Sequence, residues 1–169
     1  MFYKYNVSYT NKNICIFGRS NLIGLPLYLL LLHYNNTIYN IHPFSNNVKE
    51  FTKNADIILS AMGQPLYIDK SFLNPYRNQV LIDIGVNYIL KDGVYKCVGD
   101  INYSNVIHSC DAITPVPGGI GPITINMLMY NTIKAAYIYS NHLDLWNKVS
   151  NGHFIHIDNL NIFQSGFKP

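Results

Sequence analysis

Along this chain, short apolar runs alternate with longer segments that carry apolar residues at helical spacing. The runs Ile14–Phe17, Thr37–Ile41, Asp56–Ser60 and Val80–Ile84 read as buried strands. Between them, Ile23–His33 and Asn47–Asn54 read as helices, with a shorter helical turn near Lys70–Asn74. After Asn87 the pattern loosens through an expected turn at Lys91-Asp92-Gly93, and Val98–Ile101 and Ala112–Ile113 are expected as short late strands. Gly121–Tyr139 is the longest helical stretch, with Pro122 near its first position, where a missing N–H is tolerated. Strands alternating with helices across short loops predict right-handed βαβ units. The expected fold class is therefore α/β, a Rossmann-like, doubly wound and mainly parallel sheet with flanking helices. Residues 1–140 are expected to form this domain. Residues 141–169 lack clear periodicity and read as a C-terminal extension of unknown structure.

Composition narrows the classes. A length of 169 residues allows one domain with a real core, and 49% hydrophobic against 12% charged residues favours a globular chain over a disordered one. The net charge of +3 is small and scattered, which argues against a nucleic-acid partner. The longest apolar stretch, Leu22–Leu32, is too short to span a bilayer and is interrupted by Gly24 and Pro26, so no membrane partner is expected. The first residues lack the apolar core of a secretory signal. Cys15, Cys97 and Cys110 are odd in number and lack metal-ligand spacing, as do the histidines; reduced thiols in the cytoplasm or an organelle are expected, with no metal.

Two glycine clusters carry the candidate chemistry. In ICIFGRSNLIGLP, Ile14 to Pro26, a strand breaks into a glycine turn and then a leucine-rich helix. Gly18 allows a sharp turn, Gly24 a close approach of helix to sheet, and the helix N-terminus favours an anion. Arg19 offers a guanidinium fork and Ser20 a hydroxyl to phosphate oxygens. The spacing is G-x5-G, so the G-x-G-x-x-G dinucleotide fingerprint is only half met. A tight strand-to-helix turn with a solvated arginine is the plain alternative. The stretch Ile38 to Phe44 contains no acid, although an acid usually holds the ribose 2′-hydroxyl of NAD there, and its absence favours NADP. About a hundred residues on, Pro115, Pro117, Gly118, Gly119 and Gly121 make a stiff loop poor in side chains, against which a flat ligand can lie.

The strings GRSNLIGLP, SAMGQP, LIDIGVN, VGDI and TPVPGGIGP occur in the order and rough spacing of one domain. The chain thereby resembles the cofactor-binding domain of the methylenetetrahydrofolate dehydrogenase/methenyltetrahydrofolate cyclohydrolase family, from about Tyr3 to Ala136. The resemblance implies that Gly18, Arg19 and Ser20 meet NADP, with Arg19 near the 2′-phosphate. It implies that Ile84, Gly85 and Val86 border the nicotinamide and that Thr124 faces that region. Pro117, Gly118, Gly119, Ile120 and Gly121 would line the side of the cleft for a tetrahydrofolate derivative. The implied reaction passes a hydride from 5,10-methylenetetrahydrofolate to NADP and then hydrolyses the methenyl product. The family's catalytic lysine and its nearby tyrosine lie in an N-terminal domain with no counterpart here. The chain alone is therefore expected to be inactive without a separate catalytic domain or chain, and a homodimer is implied by resemblance alone. Tyr130 and Lys134 copy the Tyr-x-x-x-Lys spacing, but align with the family's last helix and not with its catalytic motif. Pro43 departs from the family, which commonly has a hydroxyl residue there that touches the 2′-phosphate. Arg19 and His42 would remain to hold it. A non-catalytic dinucleotide-binding protein is the alternative. Asp83 and Asp100, each between apolar residues, are expected to fix loops by hydrogen bonds and not to transfer protons.

Overall fold

A computed structural model describes residues 2, 5–142 and 144–148. They fall into two compact units, Tyr9–Pro122 and a second made of Met1–Ser8 with Ile123–Pro169.

In the first unit, β-branched and apolar runs, with Asp83 at the end of β4 the one charged residue, form the strands of a parallel sheet. Strands β1 (Asn13–Phe17), β2 (Thr37–Ile41), β3 (Ile57–Ser60), β4 (Val80–Asp83) and β7 (Ala112–Ile113) make one five-stranded sheet in the order β2-β1-β3-β4-β7. Every pairing in it is parallel. Phe17 stands beside Ile41 on one side and Ser60 on the other, so the ends of β1, β2 and β3 open on one edge. The chain leaves β1 for β2 on one side and crosses to β3 on the other. The reversal lies at β1, where open α/β sheets bind their ligands.

Helices α1 (Gly24–Leu32) and α2 (Val48–Asn54) connect the first three strands, and a 3-10 turn (Lys70–Phe72) and the short α3 (Tyr103–Val106) follow. One apolar cluster joins Cys15, Phe17, Ile41, Ile58 and Leu81 of the sheet to Phe72, Leu73, Ile101 and Val106. Gln79 is wholly buried and ties elements together: its amide donates to the carbonyls of Thr52 and Ala55, and its oxygen accepts from the Asn74 amide.

Two late elements differ from expectation. Residues Asn87–Lys91 (β5) and Val94–Val98 (β6) form an antiparallel hairpin outside the main sheet. Its two-residue turn has positive φ at both Asp92 and Gly93, the pairing that favours a hairpin. The strand expected at Val98–Ile101 is not one: only Val98 is in β6, and Ile101 forms an isolated parallel bridge to Ile68. The amides of Asp100 and Ile101 bind a carboxylate instead, as described below.

Helix α4 spans Ile120–Tyr139, so Pro122 falls in its first turn. In the second unit, Tyr130 and Trp146 meet edge to face at 5.0 Å between ring centroids, and Tyr137 lies 5.7 Å from Trp146. The Lys134 ammonium sits over the Tyr130 ring at 5.9 Å. This Tyr-x-x-x-Lys pair is thus part of an aromatic packing arrangement. Of the C-terminal extension, residues 143 and 149–169 lie outside the described residues. Among the described residues no helix is long and apolar enough to cross a membrane.

Candidate functional site

The open edge above β1 is assembled from three loops. Gly18 leaves β1 at φ +115°, a conformation that suits glycine, and its amide donates to the Ile41 carbonyl at 2.9 Å. A side chain there would collide with the Ala61 carbonyl, and one at Gly24 would collide with the Gly18 carbonyl. Both glycines are therefore required by close backbone approach. Ser20 caps α1 from a distance: its Oγ accepts from the amides of Ile23 at 3.2 Å and Gly24 at 3.4 Å, and its carbonyl accepts from Leu25. The first helical amides are therefore occupied, and the anion-facing donors move back into the turn. The amides of residues 19–22 have no protein partner among the described residues, and the Ser20 hydroxyl keeps its proton to donate. Arg19 is exposed and without an ion pair among the described residues.

At the neighbouring end of β2, His42 and Ser45 close a small loop. The His42 amide donates to Ser45 Oγ at 3.0 Å, and the Phe44 amide donates to His42 Nδ1 at 3.2 Å. That bond assigns the neutral ring's proton to Nε2, which becomes a donor. Pro43, between them, is exposed and has no N–H. No carboxylate occurs from Thr37 to Asn47.

On the other side of β1, the ends of β3 and β4 are held by two buried aspartates. The Asp100 carboxylate accepts at one oxygen from Ser60 Oγ (3.0 Å) and the amides of Met62 (2.8 Å) and Gly63 (3.3 Å). Its other oxygen accepts from the Gln64 amide (3.0 Å) and Asn87 Nδ2 (2.8 Å). The Asp83 carboxylate accepts from the amides of Gly85 (3.0 Å), Asp100 (3.1 Å) and Ile101 (2.8 Å). Burial, with the Asp100 charge nearby, pushes the Asp83 carboxyl up to about 6 against these three donors. Both aspartates hold loops, as expected. Beside them Ile84 is half-buried, Gly85 buried and Val86 exposed.

The second glycine loop follows β7. Thr114 Oγ1 accepts from the Asp83 amide at 2.8 Å and so ties the start of this loop to β4. The Val116–Pro117 peptide is cis, and Gly118 has φ +104°. Pro117, Gly118 and Gly121 are exposed, Ile120 is half-buried, and Gly119 is buried against the Pro115 carbonyl. Thr124 belongs to the second unit and is exposed. The structure thus gathers Gly18, Arg19 and Ser20 at the end of β1, Ile84 and Val86 after β4, and Pro117 to Gly121 after β7, all within the first unit. Sequence reasoning missed Asn87, His42's partner Ser45 and Thr114; none stands in a recognisable chemical motif, and each acts through a partner that only the fold supplies. Cys15 is no candidate nucleophile, because burial pushes its thiol up to about 12.

A parallel sheet with a glycine turn, an exposed arginine and an acid-free second strand at its topological switch point defines a Rossmann-like dinucleotide-binding domain. Residues 1–140 match the family described as tetrahydrofolate dehydrogenase/cyclohydrolase, NAD(P)-binding domain, and the chain belongs to it. Among similar proteins, the bifunctional protein FolD of Ehrlichia canis is 42% identical over 127 residues, which are 75% of this chain and 42% of that protein. The chloroplastic bifunctional protein FolD 4 of Arabidopsis thaliana is 42% identical over 139 residues, 80% of this chain and 38% of that one. The solved methylenetetrahydrofolate dehydrogenase/cyclohydrolase of Campylobacter jejuni has a TM-score of 0.75 at 32% identity, covering 82% of this chain and 47% of that one. The Trypanosoma brucei enzyme, solved with NADP cofactor and inhibitor, has a TM-score of 0.72 at 28% identity, covering 78% and 46%. The chain spans less than half the length of these relatives.

Proposed function

We propose that this chain is the NADP-binding half of a methylenetetrahydrofolate dehydrogenase/cyclohydrolase. The observation that carries the proposal is the juxtaposition, at the switch point of the sheet, of an exposed Arg19, without an ion pair among the described residues, with a β2 end that holds no acid. A 2′-phosphate meets attraction from the guanidinium and no carboxylate repulsion there. The open amides of residues 19–22 and the Ser20 hydroxyl suit the pyrophosphate. A side chain at Gly63 would meet nothing within 4 Å, so the rim between β1 and β3 leaves room for a ligand. These residues fit the group.

NADP, when bound, supplies the hydride acceptor for the one-carbon bridge of 5,10-methylenetetrahydrofolate. This chain's residues bind and orient. Arg19 and Ser20 hold the phosphates, with Gly18 giving them a tight turn. Ile84 and Val86 flank the nicotinamide. Pro117, Gly118, Gly119, Ile120 and Gly121 form the wall for the tetrahydrofolate derivative. The proton-handling group for hydrolysis belongs to a catalytic half outside these residues, so no residue of this chain is assigned as catalytic. Pairing of two copies through this domain is part of the proposal by family membership.

Pro43 favours the second reading, a non-catalytic dinucleotide-binding protein, because it offers the 2′-phosphate neither N–H nor hydroxyl. The two readings separate on complementation. The chain is mixed with the missing half of a relative and assayed for NADP reduction dependent on methylenetetrahydrofolate. NADP binding by the chain alone, with reduction only in the mixture, supports the enzyme reading. NADP binding without reduction in the mixture supports the second, and failure to bind any nicotinamide cofactor overturns both.

A further inference from the structure

We infer that the buried pair Asp83 and Asp100 is a positioning device for the nicotinamide half of the dinucleotide site, acting through the loops it clamps. The inference rests on the NADP-binding reading. The strings DIG (Asp83 to Gly85) and GDI (Gly99 to Ile101) each combine an aspartate, an isoleucine and a glycine, and the structure interlocks them. A side chain at Gly85 would collide with the Asp100 carboxylate, and one at Gly99 with the Asp83 carboxylate. Each carboxylate thus passes over the glycine beside the other. Asp83 is 2% exposed and Asp100 wholly buried.

The direction of the hydrogen bonds decides what the pair does. Asp100 gathers donors from two strand ends: Ser60 at the end of β3 with Met62, Gly63 and Gln64 after it, and Asn87, which opens β5 just beyond β4. Asp83 in turn binds the backbone of Asp100 and Ile101, and of Gly85. Three segments distant in sequence are therefore fixed to one another at the sheet's ligand-binding edge. All lie on the β3–β4 side of the switch point. Arg19 and Ser20 lie at the switch point itself and the β2 end lies beyond it, and none of them bonds to the pair. In a dinucleotide spanning the switch point, the adenosine half meets β2 and the nicotinamide half meets the clamped loops. The pair therefore governs one half of the ligand and not the other.

This asymmetry gives the test. The chain and its variants Asp100→Asn and Asn87→Ala are titrated with NADP and with adenosine 2′,5′-bisphosphate, the 2′-phosphorylated adenosine half of NADP. Asn at 100 keeps the volume but turns an amide donor toward N–H groups, and Asn87→Ala removes only the link to the β5 loop, a milder change that preserves folding. NADP affinity is expected to fall about tenfold in Asp100→Asn and several-fold in Asn87→Ala, with the bisphosphate bound as before. Hydrogen exchange at the amides of Met62, Gly63 and Gln64 is expected to quicken in Asp100→Asn. Equal losses for both ligands would mean a general structural role, and no loss for either would mean no role in binding; each overturns the inference and leaves the NADP reading standing. Failure of the unsubstituted chain to bind either ligand overturns both.

Discussion

Single residues divide here into those that touch solvent at the ligand edge and those that hold it from beneath. Gly99 has no space for a side chain because the Asp83 carboxylate occupies it. Gly99→Ala is expected to cost about 2–4 kcal/mol, read as a lowered urea midpoint. Asp83 itself is expected to give the fold an unusual pH dependence. Its folded-state carboxyl is pushed up to about 6 by burial and by Asp100, above the 3.8 of a free side chain. The folded state therefore takes up this proton more readily than the unfolded chain. Its contribution to stability is fullest below about pH 4, declines as pH rises to about 6, and is level above. Relative to Asp83→Asn, the unsubstituted protein is expected to be more stable at pH 4.5 than at pH 7.5 by on the order of 2 kcal/mol. A stability difference that is the same at both pH values would show that the three amide donors offset burial. Asp56 runs the other way. Against its burial, the Asn13 amide and the Arg77 guanidinium lower its carboxyl, so its contribution is present above about pH 4 and lost in acid.

At the scale of elements, the legible part of the sequence was the part with continuous apolar runs. β1, β2, β3 and β4 fall where Ile14–Phe17, Thr37–Ile41, Asp56–Ser60 and Val80–Ile84 indicate, to within a residue; β1, β3 and β4 are central parallel strands covered on both faces, and β2 is the part-exposed edge. The β5–β6 hairpin was not legible. Tyr88, Leu90, Val94 and Tyr95 are all exposed, so the hairpin has no buried face to write a period-two pattern into the sequence. Only its Asp-Gly turn could be read. Val98–Ile101 misled for the opposite reason: Gly99, Asp100 and Ile101 are buried, but the amides of Asp100 and Ile101 belong to the Asp83 carboxylate, 17 and 18 residues away. Contacts of that range also hide Gln79, whose polarity at the start of a buried strand has no local explanation. Gln79→Ala is expected to strip partners from two buried carbonyls and the Asn74 amide, at about 2–3 kcal/mol, and to speed hydrogen exchange at the end of α2.

For the molecule as a whole, the glycine turn in which Arg19 and Ser20 stand was legible from the sequence because local spacing carries it. What local spacing could not reveal is that Ser20 occupies the first amides of α1, so that the donors free for a phosphate belong to residues 19–22. Nor could it pair Asp83 with Asp100. On the proposed function, the chain reads the 2′-phosphate of its dinucleotide through Arg19. Calorimetric titration of the chain and of Arg19→Ala with NADP and with NAD tests it most directly. NADP is expected to bind at least about tenfold more tightly than NAD, and Arg19→Ala to abolish this preference while leaving NAD affinity nearly unchanged. Equal affinity of the unsubstituted chain for the two cofactors, or a preference that survives the loss of Arg19, would contradict it.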